Sequence, residues 1–166
     1  MGEEVNQPLV FLEGAYSKKD LDSFMGQNRS AQKSDIYEQQ LKELFEITYP
    51  GLDSSASQYR QFMGDKNQPG KGSWIFLPWS NKLLHILNEA DFFALHTNRN
   101  QYLIKKEEQQ KLQDYTVGIL GLSVGGSMAI ALAYSAACGR LVLADRDNFS
   151  TSNLNRVRVG VADIGQ

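Results

Sequence analysis

The sequence predicts an α/β protein in two parts. A mixed α/β, largely helical module is expected over residues 1–97, followed over 98–166 by a partial βαβ nucleotide-binding unit. Two observations carry this. Thr116 to Arg156 reads as strand, glycine loop, small-residue helix, second strand and acid, in that order, whereas the preceding residues show mainly helix-spaced apolar patterns. With 42% apolar and 22% charged residues in 166, the composition is that of an ordinary globular chain with enough length for a core.

Taken in order, "PLVFLE" (Pro8–Glu13) is a short apolar run suited to a buried strand. Ser17 is placed to cap a helix carrying Leu21, Phe24 and Met25, with Asp20 at capping-box spacing. The polar stretch from Gly26 to Ser34 reads as a loop. From Asp35, the spacing of Ile36, Leu41, Leu44, Phe45 and Thr48 predicts an amphipathic helix stopped by Pro50-Gly51. A third helix is expected from Ser55, with Gln58 at capping-box spacing and Tyr59, Phe62 and Met63 along it.

"GDKNQPGKGS" (Gly64–Ser73) is a loop by composition. It fails as a phosphate-binding P-loop, because five residues separate Gly64 from Gly70 and Gly72 follows Lys71 where a hydroxyl is needed. "SWIFLPW" reads as a strand ended by Pro78. Ser80 then caps an expected helix with Leu83, Leu84, Leu87, Ala90 and Ala94 on one face. "HTNRNQ" breaks that pattern, and Lys105–Gln113 is charged and helix-favouring.

Several function classes are disfavoured by the bulk properties. The formal charge of −2 argues against a general nucleic-acid binder. A single cysteine, Cys138, excludes an internal disulfide framework and a thiolate zinc cluster; its place at the end of an apolar run suggests a buried, inert thiol. Met1 to Gln7 resembles no leader, Asn6 stands where acylation at Gly2 would need Ser or Thr, and no apolar run spans a membrane. A cytoplasmic protein is expected. His85 and His96 lack the acidic spacing of a metal site and read as surface or interface residues.

The chemistry concentrates after Thr116. A G-x-G-x-x-G signature would fall on Gly121, Ser123 and Gly126, with serine in the middle and Gly125 adding freedom beside it. The first glycine permits the tight turn and the last permits close helix–strand packing, as in a Rossmann-like fold. Amides from about Gly125 to Met128, with the helix dipole, then suit phosphate. Met128, Ala129, Ile130, Leu132, Ala133, Ala136 and Ala137 make the helix small and apolar. Asp145, 24 residues after Gly121 at the tip of "RLVLAD", is placed to accept ribose hydroxyls. Beyond it cluster Asp147, Ser152, Asn153, Asn155 and Arg156, where an arginine and two amides could hold a triphosphate. The alternative for that run is a solvated loop with a cap at Ser152 or Asn153.

"GILGLSVGGSMAIALAYSAACGRLVLADRDNFSTSNLNR" resembles the ATP-binding core of the ThiF/MoeB family, relatives of the ubiquitin-activating enzymes. The family pattern D-x-D-x-[VL]-x-x-[ST]-N-L-x-R is matched in register by Asp145, Asp147, Ser152, Asn153, Leu154 and Arg156. The resemblance implies ATP and Mg2+, adenylation of the C-terminal carboxylate of a ubiquitin-like or sulfur-carrier protein, and a homodimer. It implies that Asp145 holds the ribose and that Asn153 and Arg156 contact phosphates. Arg99, in "TNRNQ", would reach the γ-phosphate of a dimer partner. "GSWIFLPWS" and "HTNRN" also resemble bacterial members fused to a nitroreductase-like domain.

The family's downstream lysine, magnesium-binding aspartate and cysteine do not occur here, so the chain is expected to be an inactive N-terminal part of a longer enzyme. Two strands do not make a covered parallel sheet. "PLVFL" or "WIFLPW" would therefore join it, or a partner would cover its edge. An NAD(P)-dependent oxidoreductase domain fits the glycine loop and Asp145 equally well, and a non-catalytic interaction module is the third possibility.

Overall fold

The computed structural model describes residues 7–165; Met1–Asn6, on which the leader and acylation readings fall, and Gln166 lie outside them. The chain is mixed α/β and divides between Leu95 and His96 into two compact units.

The first unit is built on a four-stranded sheet. Its strands are β1 (Leu9–Phe11), β2 (Gln32–Asp35), β3 (Ser73–Leu77) and β4 (Lys82–Ile86), in the order β1-β3-β4-β2. β3 runs antiparallel to both β1 and β4, whereas β2 runs parallel to β4. The helices are α1 (Lys18–Gln27), α2 (Tyr37–Thr48), α3 (Ser57–Lys66) and all but the last two residues of α4 (Glu89–Thr97). Ser17 and Asp20 close a reciprocal capping box at the start of α1, as their spacing requires.

Two clusters form the core. Leu21 packs with Trp74 and Leu83, flanked by Phe11, Tyr16, Phe24 and Phe76. Tyr37, Leu41, Leu44 and Leu87 form the other, with Phe62 and Met63 of α3 against it. Burial, then the nearby Glu13 and Asp91 carboxylates, push the Tyr37 hydroxyl up to about 12. It therefore remains a donor, to the Lys66 carbonyl at 2.8 Å.

The expected helix after Ser80 is instead β4. Leu83, Leu84 and Leu87 suit a helix face by spacing, but Asn81 adopts a left-handed conformation (φ 49°, ψ 43°) that turns the chain back onto β3. The expected loop from Gly26 to Ser34 contains the end of α1 and most of β2. β2 is a polar edge strand with no apolar alternation, held by its parallel ladder to β4. α3 begins at Ser57 rather than Ser55, because the Ser55 hydroxyl is bound to Asp53 and Ala56 occupies the cap.

His85 is not a surface residue. Its ring lies between Trp74 (centroids 4.3 Å apart, 4° between planes) and Tyr37 (4.7 Å, 22°). Nδ1 meets Asp35 Oδ1 and Nε2 meets the Lys71 carbonyl, each at 2.9 Å. The loop behind it is fastened by Glu13, whose carboxylate accepts the Gly72 amide at 2.7 Å and pairs with Lys71.

The second unit contains α5 (Lys106–Leu112), β5 (Thr116–Leu120), α6 (Val124–Tyr134) and β6 (Arg140–Ala144). β5 and β6 pair in parallel, from Thr116↔Arg140 to Leu120↔Ala144, which makes the βαβ unit expected from the sequence. They form a separate two-stranded sheet. β1 and β3 belong to the four-stranded one, so neither "PLVFL" nor "WIFLPW" extends the βαβ unit.

α6 is shorter than its apolar run. It ends at Tyr134, and Ala136 turns out of it at φ +51°, so Ala136, Ala137 and Cys138 lie beyond the helix. Cys138 is partly exposed, not buried. The carbonyls left open at this helix end are met by side chains from earlier in the unit: His96 Nε2 at Tyr134 O, Asn100 at Ser135 O, and both Gln109 and Gln113 at Ala136 O.

Candidate functional site: a glycine-loop cleft

Only three residues join β5 to α6. Gly121 takes φ +88°, a conformation that favours glycine, and its amide still bonds to Ala144 O at 2.8 Å. The next amide, Leu122, donates to Asp145 Oδ2 at 2.6 Å. The end of β6 thus holds two successive loop amides. The first helical bond of α6 is Gly126 N–H to Leu122 O at 3.1 Å. Among the described residues, no hydrogen bond engages the Ser123, Val124 and Gly125 amides, which leaves three donors at the positive end of an eleven-residue helix.

These groups open on a cleft of about 980 Å³. Of the residues expected in a nucleotide site, Gly121, Ser123, Gly125, Asp145 and Asp147 line it together. Ile119, Leu120, Val124 and Met128 supply an apolar wall, and Leu120, Val124 and Met128 are 87%, 70% and 59% exposed. Asp145 Oδ1 accepts the Asp147 amide at 3.0 Å. The Leu122 and Asp147 amides hold the Asp145 carboxyl below the usual aspartate range. Each of its oxygens retains a lone pair for a ligand hydroxyl.

The close-packing glycine is Gly125, not Gly126. A Cβ on Gly125 would stand 2.6 Å from Ile119 Cγ2, whereas one on Gly126 would meet nothing nearer than Leu122 Cβ at 4.0 Å. The signature spacing had assigned this role one residue too late.

Ser152, Asn153 and Arg156 do not line the cleft. They form a tight turn that satisfies itself. Asn153 Oδ1 accepts the Ser150 amide and hydroxyl at 2.8 and 3.0 Å, so Ser150, and not Ser152 or Asn153, is the cap. Ser152 Oγ lies 2.9 Å from Ser150 Oγ, and Arg156 Nη1 donates to Ser152 O and Asn155 Oδ1. Arg99 is exposed in the turn Asn98–Tyr102. Its neighbour Asn100 bonds at the C-terminal end of α6, which the helix rise places about 16 Å from the glycine loop.

Three contributors were not legible beforehand, the Ser123 and Val124 amides and Arg146, all lining the cleft; of the amides expected there, Gly126 is instead spent on Leu122 O. Backbone donors carry no residue-type signal; only the glycines around them do. Among the described residues, no group of three or more His, Cys, Asp or Glu could hold a metal ion, and no helix is long and apolar enough to cross a membrane.

An uncharacterized protein of Mycobacterium tuberculosis (strain CDC 1551 / Oshkosh), MT1398, is 48% identical over 92 residues, which cover 55% of this chain and 13% of that protein. The tRNA threonylcarbamoyladenosine dehydratase of Bacillus subtilis (strain 168) is 36% identical over 70 residues, 42% of this chain and 28% of that enzyme. The chain therefore spans about an eighth and just over a quarter of these relatives' lengths. No solved structure matches significantly. The sequence model of the ThiF family matches residues 96–166, the unit that carries the cleft.

Proposed function

We propose that residues 96–166 are the ATP-binding part of an adenylyltransferase that activates a carboxylate as its acyl-adenylate. One observation carries this: three unpaired amides at the start of α6 share a cleft with an ionised carboxylate at the tip of β6. Such amides, backed by the helix dipole, suit the phosphates, and Asp145 suits the ribose hydroxyls. The match of residues 96–166 to the ThiF family supports ATP over the other ligands of a glycine loop.

ATP fits the donors present. Magnesium is ordinarily held by one or two carboxylates together with substrate phosphates, and Asp147 at the mouth of the cleft is the side chain available for that. In the reaction, a carboxylate oxygen forms a bond to the α-phosphorus while the bond to the bridging oxygen breaks and pyrophosphate leaves. The protein contributes positioning and charge stabilisation. Asn153 and Arg156 are assigned to the phosphates by resemblance. Arg99, exposed in the turn Asn98–Tyr102, is assigned by resemblance to the site of a second copy in a homodimer.

The acceptor we propose is the C-terminal carboxylate of a ubiquitin-like or sulfur-carrier protein. One relative, 36% identical over 70 residues, is named as a tRNA threonylcarbamoyladenosine dehydratase. The test therefore offers both kinds of acceptor to the protein containing this segment and measures exchange of labelled pyrophosphate into ATP. Exchange that depends on the carrier protein is expected. Exchange with the modified tRNA alone would overturn the acceptor, and none with either would overturn adenylation.

A further inference from the structure

The cleft holds a carboxylate with two bonds to backbone and only one obvious task. Asp145 Oδ2 takes the Leu122 amide at 2.6 Å and Oδ1 takes the Asp147 amide at 3.0 Å. These bonds tie the middle of the β5–α6 connection to the stretch that follows β6. Gly121 is already fixed through Ala144 O. The two consecutive anchors determine where the connection ends, and so the direction in which the Ser123, Val124 and Gly125 amides point.

Without the second anchor, Leu122 could rotate about the glycine before it, because Gly121 at φ +88° has open space around it. The other tie on that connection among the described residues is the Gly126 amide at Leu122 O, which belongs to α6 and moves with it. A carboxylate is the group suited to this place. It accepts at both oxygens, whereas an amide would turn an NH2 toward one of two N–H donors.

We infer that Asp145 is a positioning residue for phosphate, acting through the Leu122 amide to hold the three α6 amides in their anion-binding arrangement, in addition to any contact with ribose. This rests on the nucleotide role proposed for the cleft. It also has an unexpected sign. Removing a negative charge beside a polyanion should strengthen binding if charge alone mattered, but here it weakens binding because the donors lose their alignment.

Inorganic tripolyphosphate, which has no ribose, separates the two roles. Titrations of the 166-residue chain with Mg2+-ATP and with Mg2+-tripolyphosphate are compared for wild type, Asp145→Ala and Asp145→Asn. Both substitutions are expected to weaken tripolyphosphate by about ten-fold, the scale of one charge-assisted hydrogen bond. Alongside, the Leu122 amide resonance should lose its hydrogen-exchange protection in Asp145→Ala while the amides of β5 keep theirs. Asp145→Asn, which keeps the side-chain volume, supplies the comparison if the alanine variant does not fold. Weaker ATP binding with tripolyphosphate unchanged or tighter would overturn the inference and leave the nucleotide role standing. Wild type that binds neither probe would overturn both.

Discussion

Asp145 Oδ2 accepts the amide of Leu122 at 2.6 Å, joining the acid at the tip of β6 to the residue after the loop's first glycine. The sequence separates the two by 23 positions, and the parallel register Leu120↔Ala144 brings them together.

The first prediction concerns pH. Backbone donors hold the folded Asp145 carboxyl below its unfolded value, so its contribution is present above the ordinary aspartate range and is lost as pH falls through the depressed folded value. The Leu122 amide shift, followed by acid titration, should therefore turn over below the free aspartate value of about 3.9. A midpoint at or above that value would mean the bond does not persist in solution.

Gly125 and Gly126 should respond oppositely to alanine. Gly126→Ala meets open space within a helix and should stabilise the unit by about 0.5 kcal/mol. Gly125→Ala forces Ile119 and the helix apart and should cost about 2 kcal/mol. Denaturant unfolding of the two variants checks the contrast; equal effects would contradict it.

The loop joining α3 to β3 is shorter than the expected Gly64–Ser73, since α3 runs to Lys66 and β3 starts at Ser73, and two of its glycines separate conformation from crowding. Gly70 has φ +83° and nothing within 4 Å, so Gly70→Ala should cost about 1 kcal/mol for the left-handed backbone alone. Gly72 has φ +80°, and a Cβ there would stand 2.6 Å from His85 Nε2 and 2.7 Å from Ile86 O. Gly72→Ala should cost about 3 kcal/mol and loosen the His85 stack. Tryptophan fluorescence of Trp74 during thermal unfolding reads both.

Ala136 is the reverse case. It holds φ +51° without being glycine, with its carbonyl fixed by Gln109 and Gln113. Ala136→Gly should raise stability by about 1 kcal/mol, read as a higher melting temperature.

What could be foreseen divides along physical lines. β5, α6 and β6 were legible because a buried-type strand, a glycine turn and an acid follow one another within one supersecondary unit. β2 was not, because "QKSD" is a polar edge strand that exists only through its partner β4. β4 was misjudged because leucines at 83, 84 and 87 satisfy both periods, and the decisive feature was the left-handed turn at Asn81. Within the site, Gly121, Ser123, Gly125, Asp145 and Asp147 were named beforehand and share the cleft. The turn from Ser150 to Arg156 was placed with them, yet it bonds to itself, since its short polar side chains find partners two to four residues away. The capping of α6 by His96, Asn100, Gln109 and Gln113 left no pattern, because it joins single polar side chains to backbone carbonyls across the unit.

One titration bears on the whole interpretation. The 166-residue chain should bind Mg2+-ATP saturably in a calorimeter, with NAD at least ten-fold weaker. Heat on adding NAD and none on adding ATP would show that the cleft serves a dinucleotide, and adenylation would then have to be abandoned.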